Sequence, residues 1–245
     1  MRNLNVLALS LLLFSAGCGL HKEAPSTAVS GKNFDYYLSE ASYFLKKGES
    51  DKAISQLKEA LASNPGSPKA HNLLGIAYFQ KKDYGLAKSE YEKALETDPS
   101  YAQAYNNLGC THFMMQELDL AEKMFQKALS LSPNLVSALF SLGTLLASQG
   151  KIEDSTLYFS KGIALDPAFL DRETALIANL SFESFKNPEI FFTFAKIFAS
   201  AGNIEKTVFY LDKAKLAGFQ EWGRIEREKE FEKVKDDERI KKFLR

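Results

Sequence analysis

Few side chains in this 245-residue sequence are suited to nucleophilic or metal chemistry. The chain contains two cysteines and three histidines, and their spacing matches no motif for a metal site or a catalytic nucleophile. The sequence motifs of serine hydrolases, phosphate-binding loops, zinc proteases and dithiol enzymes do not occur. We therefore predict that the protein is not an enzyme, that it has no catalytic residues, and that it holds neither a metal nor a cofactor.

The three histidines and Cys110 are better explained as packing or linker residues than as catalytic or metal-binding residues. His71 and His112 lie in segments with apolar periodicity, where a packed and hydrogen-bonded histidine is more common than a metal ligand. Cys110 lies in a similar segment, and we interpret it as a small apolar residue. His21 lies in a polar stretch and is interpreted as a solvated linker residue.

The second cysteine, Cys18, differs because of the residues that precede it. The chain begins with a positive charge at Arg2 and continues with a nine-residue run from Val6 to Phe14, apolar except for Ser10. A positive start, a short apolar stretch and small residues are the three parts of an export signal. The run is too short for a membrane-spanning helix, which needs about 20 residues.

Residues 15–18, Ser-Ala-Gly-Cys, resemble the bacterial lipobox, whose usual form is Leu-Ala-Gly-Cys. The resemblance implies that residues 1–17 are a lipoprotein signal peptide and that Cys18 carries lipid, including palmitate-type chains, on its sulfur and new amino group. A thiolate is the natural nucleophile for this alkylation, and each buried CH₂ contributes roughly 0.8 kcal/mol to anchoring. The alternative is a plain cleavable signal with an incidental cysteine.

Residues 18–33 are mostly small and polar, which predicts a flexible tether between the lipidated cysteine and a folded part. Gly19 follows the cysteine, where Asp would indicate retention at the inner membrane of a two-membrane bacterium. We therefore expect a lipid-anchored protein of the cell envelope, with the periplasmic face of the outer membrane favoured over the inner membrane.

Four of the seven prolines, at positions 65, 99, 133 and 167, are spaced by 34 residues. A fixed period of this size indicates a repeat architecture. Within each unit, apolar residues three and four positions apart predict two amphipathic helices. Small residues occupy the eighth position and large ones the twenty-fourth. The four units span residues 34–67, 68–101, 102–135 and 136–169.

This pattern resembles the tetratricopeptide repeat, most closely at residues 70–99 and 104–133. The resemblance implies an all-α fold, a right-handed superhelix or α-solenoid of helix-turn-helix repeats. A degenerate fifth repeat is predicted at residues 188–221, after an intervening helix at 170–187 that either caps the first four units or belongs to the fifth. Residues 222–245 mix charges with an apolar stripe, which favours a C-terminal capping segment over a partner-binding helix.

The family resemblance also implies that the first helices line a concave surface, through positions 2, 5, 9, 12 and 13 of each unit. Asn72 and Asn106 are expected to stack in neighbouring tiers and hold a peptide backbone, while aromatic residues and Met form an apolar floor. The alternative is that several of the large side chains pack against the second helices. The candidate groove residues are Lys69, Asn72, Ile76, Phe79, Gln103, Asn106, Phe113, Met114 and Phe140.

Acidic and basic residues balance at 31 each, so no net field favours nucleic acid. Anchor and repeats together resemble bacterial lipoproteins that help pilus secretins assemble or that dock cell-wall hydrolases. We therefore expect a membrane-anchored scaffold or adaptor that binds other proteins or peptide segments during envelope assembly. The alternatives are a self-assembling structural envelope protein and the regulatory subunit of a separate envelope enzyme.

Overall fold

The computed structural model describes residues 33–169 and 188–245. Every regular element within these two ranges is a helix, and this confirms the predicted all-α class. The predicted signal peptide, Cys18, the tether up to residue 32 and the intervening helix at 170–187 lie outside the described residues.

Eight helices cover residues 34–165, and each predicted 34-residue unit contains two of them. First helices have 13 residues and second helices have 14. Their bounds are α1 Phe34–Lys46, α2 Ser50–Ser63, α3 Pro68–Gln80, α4 Tyr84–Thr97, α5 Ala102–Met114, α6 Leu118–Leu131, α7 Val136–Ser148 and α8 Ile152–Leu165.

The second described range begins with another helix pair. It consists of α9 (Pro188–Ser200) and α10 (Ile204–Leu216), which pack against each other like the four pairs before them. Three short elements follow, namely α11 (Arg224–Arg227), a 3₁₀ helix (Lys229–Phe231) and α12 (Glu238–Lys241).

The first helix of every pair ends in the same way. The fifteenth residue of each unit has positive φ, and the next amide bonds back over five residues, as from Asp83 N to Tyr78 O at 2.9 Å. This is a Schellman-type closure, which favours glycine because glycine lacks a Cβ. The residues with positive φ are Gly48, Lys82, Gln116, Gly150 and Gly202.

Within a unit, the two helices cross where a glycine faces an aromatic ring. A Cβ placed on Gly109 would lie 2.6 Å from a ring carbon of Phe125, closer than real contacts allow. Gly75 faces Tyr91 in the same way, and Gly143 faces Phe159. The three rings are almost completely buried. The alternation of small and large residues therefore sets how closely the helices approach.

Successive units stack so that each second helix packs on the next first helix. First helices also contact each other directly, α1 with α3, α3 with α5, and α5 with α7. In the described ranges, second helices of adjacent units make no comparable contacts. The first helices therefore form the tighter, inner layer, and the arrangement confirms the predicted solenoid.

The end of the chain folds back onto the last helix pair. Phe192 of α9 stacks on Phe219, with ring centroids 4.2 Å apart, and the guanidinium carbon of Arg224 lies 4.6 Å from the Phe192 ring centroid. Residues 222–245 add five side chains to the same buried cluster, namely Ile225, Phe231, Val234, Ile240 and Phe243. This segment therefore covers apolar surface that the last helix pair would otherwise expose.

Candidate functional site

The predicted groove residues fall into two groups in the inner layer. Lys69 and Met114 are exposed, and Gln103 and Phe113 are partly exposed. The other five candidates are buried, namely Asn72, Ile76, Phe79, Asn106 and Phe140. Among the predicted residues, the accessible part of the groove is therefore concentrated on α5, with Lys69 one unit earlier.

Three of the predicted groove residues pack in the core. Ile76 is fully buried, and the ring of Phe79 makes an edge-on contact with Tyr84 of α4 at 5.4 Å between centroids. Phe140 stacks on Phe169 at 4.7 Å between centroids. The expectation that these three side chains face a partner is wrong, because neighbouring helices cover them. The alternative, packing against the second helices, fits Phe79, which contacts Tyr84 of α4, and Phe140, whose ring centroid lies 5.6 Å from that of Phe159 in α8.

The hydrogen bonds of the two predicted groove asparagines also differ from the prediction. Oδ1 of Asn72 accepts a hydrogen bond from Nδ2 of Asn107 at 2.9 Å, between α3 and α5. Asn72 is predicted to act with Asn106 in holding a peptide backbone, but its Oδ1 bonds to Asn107 within the fold. The fifth position of one unit therefore meets the sixth position of the next.

One unit later, the equivalent partner of Asn106 would be Ser141. The Ser141 hydroxyl instead donates to the Ser137 carbonyl oxygen at 2.8 Å and lies 3.6 Å from Sγ of Cys110. Oδ1 of Asn106 is buried and has no hydrogen-bond partner. A buried acceptor without a donor costs about 1–3 kcal/mol. The inner layer at units three and four therefore contains a buried acceptor without a donor.

The two described histidines bind acidic partners within the fold. Nδ1 of His71 lies 2.7 Å from Oε2 of Glu90, and its Nε2 lies 2.8 Å from the Pro65 carbonyl oxygen. Nδ1 of His112 lies 2.5 Å from Oε2 of Glu117. Both are packed, hydrogen-bonded histidines as predicted. Their carboxylate partners could not be predicted from the sequence, because only the pairing of helices brings them close to the histidines.

Cys110 is a free, buried thiol on the same inner layer. Burial raises its pKa far above the ordinary value, although the hydrogen bond with Ser141 opposes this shift. The thiol therefore stays protonated at neutral pH, which agrees with its interpretation as an apolar packing residue. In the described ranges, no group of His, Cys, Asp and Glu side chains is arranged to hold a metal ion, and none of the helices is long and apolar enough to cross a membrane.

The paired helices and their inner layer define a helical-repeat solenoid, a class of protein that presents a surface to other molecules. Two family models of the tetratricopeptide repeat match the chain, one over residues 38–102 and one over residues 102–135. Residues 38–135 therefore match tetratricopeptide repeats, a fold that generally serves as a non-catalytic scaffold for protein–protein interactions.

Several solved structures resemble this chain. The structure of Pseudomonas aeruginosa pilF shares 22% identity over 80% of this chain and 97% of that chain, with a TM-score of 0.52. MamA shares 22% identity over 72% of this chain and 93% of its own, with a TM-score of 0.48. The first repeat domain of Spaghetti (RPAP3), bound to an HSP90 peptide, shares 25% identity over 51% and 99%, with a TM-score of 0.46. The likeness to pilF shows the fold alone. No curated protein sequence matches the chain.

Proposed function

We propose that the protein is a non-catalytic scaffold, lipid-anchored at Cys18 in the cell envelope, that binds segments of other proteins on the inner layer of its solenoid. The tetratricopeptide repeats support the interaction role. The anchor and the preference for the outer membrane rest on the residues around Cys18. The unsatisfied Oδ1 of Asn106 is the observation that carries the choice of surface.

An extended peptide would supply the donor that Asn106 lacks if the side chains that cover Oδ1 in the free protein move aside on binding. A backbone N–H directed at Oδ1 would remove the cost of about 1–3 kcal/mol that the buried, unpaired oxygen imposes on the free protein. An acceptor that already has a protein donor, such as Oδ1 of Asn72 bonded to Asn107, offers no such gain. Binding energy is therefore concentrated at units three and four.

Apolar contacts are available on the same helix. Phe113 follows Asn106 by seven residues and therefore lies on the same face, about 10 Å further along an axis that rises about 1.5 Å per residue. Met114 is the next residue and is exposed. A peptide of about three extended residues spans this distance at about 3.3 Å per residue. The combination fits a short segment with one free backbone N–H and an adjacent apolar side chain.

Affinity capture and crosslinking from intact envelopes test the choice of surface. The groove variant combines Asn106→Ala, Phe113→Ala and Met114→Ala. The matched control changes three exposed residues on α6 of the same unit, Leu120→Ala, Lys123→Ala and Gln126→Ala. We expect specific partners to be lost from the groove variant alone, with both variants retaining the helical circular dichroism of the parent. Partners that persist in the groove variant, or that disappear from both, would contradict the proposal.

Asn106→Leu provides a sharper test of the unpaired oxygen. Replacing a buried polar side chain that lacks a partner with an apolar one of similar size should leave stability unchanged or raise it, while partner binding weakens. The comparison is Asn107→Leu, which breaks the 2.9 Å bond to Asn72 and should lower stability. A loss of stability in Asn106→Leu as large as that in Asn107→Leu would show that Asn106 has a structural role.

The anchor is tested separately with Cys18→Ser. We expect this substitution to abolish metabolic labelling with palmitate and to release the protein from the membrane fraction. Continued labelling of the Cys18→Ser protein would refute lipidation at this residue without affecting the argument about the groove.

A further inference from the structure

The outer face of α1 differs from the equivalent face of every later first helix in residues 34–169. The third and tenth positions of units two to four hold mainly small residues, and all six side chains are completely buried. In α1 the same positions hold Tyr36 and Tyr43, which are 41% and 54% exposed. The six buried equivalents are Ala70, Ala77, Ala104, Thr111, Ala138 and Leu145.

The difference follows from stacking. In units two to four, the first helix packs against the second helix of the preceding unit and its residues at these positions are buried, whereas the described chain contains no unit before α1. Tyr36, Glu40, Tyr43 and Lys47 recur at spacings of three and four, so they form one strip along the helix. We call these four residues the end face. At the opposite end of the solenoid, residues 222–245 cover the last helix pair, so the two ends are finished differently.

We propose that the end face lies against the headgroup layer of the phospholipid bilayer that holds the anchor. This inference rests on the lipid anchor of the proposed function. Tyrosine is enriched at membrane–water interfaces because its ring is apolar and its hydroxyl polar. The Nζ atom of Lys47 lies 5.7 Å from the centroid of the Tyr43 ring, which places a cation beside the aromatic surface.

Chain length keeps this face near the bilayer. Only fifteen residues separate Cys18 from Phe34, the first residue of α1. If residues 19–33 form the predicted flexible tether, their mean extension is on the order of 20 Å. Tethering over such a distance gives an effective concentration on the order of millimolar. A contact too weak to recruit the free protein is therefore sufficient once the chain is anchored.

The charges around the end face agree with a weak contact that depends on tethering. Lys46 and Lys47 make no ion pair among the described residues, and a lysine near an anionic surface is attracted to it. Glu40 lies within the strip and Asp35 in the first turn of α1, and both oppose this attraction. We therefore expect binding that depends on the anchor and on anionic lipid.

The experiment uses the chain from Cys18 onward in a Cys110→Ala background, coupled through Cys18 to maleimide lipid in phosphatidylcholine–phosphatidylglycerol vesicles. This coupling makes the test independent of natural lipidation, so its failure is distinct from failure of the anchor proposal. The reporter is Tyr43→Trp, compared with Leu157→Trp, a strongly exposed site on α8 in the fourth unit. The signal of native Trp222 is subtracted using the parent chain.

We expect the indole emission of the Tyr43→Trp chain to shift to the blue and to be quenched by brominated lipid, with no such change in the Leu157→Trp chain. Adding Lys47→Glu, or omitting phosphatidylglycerol, should reduce the quenching. Absence of quenching in the Tyr43→Trp chain, or equal quenching of both reporters, overturns the inference. A blue shift without lipid quenching, accompanied by a dimer in sedimentation of the uncoupled chain, also overturns it and assigns the end face to a second copy.

Discussion

Replacement of Gly109 by alanine tests how the helix pairs are held together. The added Cβ would lie 2.6 and 2.7 Å from two ring carbons of Phe125 and 3.2 Å from the Ala121 carbonyl oxygen. Ordinary contacts begin near 3.4 Å, so α5 and α6 must move apart by several tenths of an ångström or the ring must leave its site. The ring is buried within the core.

Two opposing effects set the magnitude. Alanine favours the helix by roughly 0.5–1 kcal/mol relative to glycine, while overpacking of a core costs roughly 1–3 kcal/mol. Because the clash involves both a ring and a backbone oxygen, we expect overpacking to dominate and the free energy of unfolding to fall by about 1–2 kcal/mol. The change should be measured by urea unfolding monitored by circular dichroism.

Gly85→Ala is the matched control, since Gly85 lies in α4 and a Cβ there has no neighbour within 4 Å. We expect this variant to be as stable as the parent, or up to about 1 kcal/mol more stable, through helix propensity alone. Adding Phe125→Leu to Gly109→Ala should restore part of the loss by making room for the methyl group. If Gly109→Ala unfolds at the same urea concentration as Gly85→Ala, the proposed role of the glycine–ring crossing is refuted.

Three further predictions concern the turn, the thiol and the acidic partner of the C-terminal segment. Gln116 has a φ of 64°, so Gln116→Gly should raise the melting temperature by relieving a strain of about 1 kcal/mol, and an unchanged or lower melting temperature would count against it. Burial raises the pKa of Cys110, so its thiol should react with iodoacetamide only when urea unfolds the repeats, and rapid alkylation in native buffer would contradict its burial. Burial opposes ionisation of Glu228, but hydrogen bonds from Lys196 and Arg224 outweigh it and lower its pKa. The ionised, paired carboxylate therefore stabilises the fold at pH values above the ordinary pKa of glutamate, and this contribution is lost in acid. Glu228→Gln should lower the melting temperature at neutral pH, and the difference from the parent should vanish as the pH falls. A difference that is independent of pH would refute this.

The parts of the fold that were predictable from the sequence depend on interactions within one 34-residue unit. The period of the prolines located the units, and the glycine–aromatic pairs lie within single units, as with Gly75 and Tyr91. The left-handed turn was visible at Gly48 and Gly150, where glycine marks it. The equivalent turns at Lys82 and Gln116 contain no glycine, so only their position in the repeat indicates them.

The candidate groove was harder to predict because exposure depends on neighbouring units. Asn72 and Asn106 occupy equivalent positions, yet one meets Asn107 while the other has no donor, since the next unit offers Ser141 in place of asparagine. Phe140 lies at the same position again, and it is buried because Phe169 stacks on it. Repeat periodicity assigns all three to one surface and does not distinguish among them.

The sequence alone determined the helical repeat, its length and the crossing of each helix pair, because these follow from periodicity and from side-chain size at fixed positions. Only the tertiary structure decided which residues of the inner layer stay accessible, and that Tyr36 and Tyr43 are open where their counterparts are buried. The physical reason is that hydrogen-bond satisfaction and burial of a side chain are set by atoms of the adjacent unit, about one repeat away in the chain.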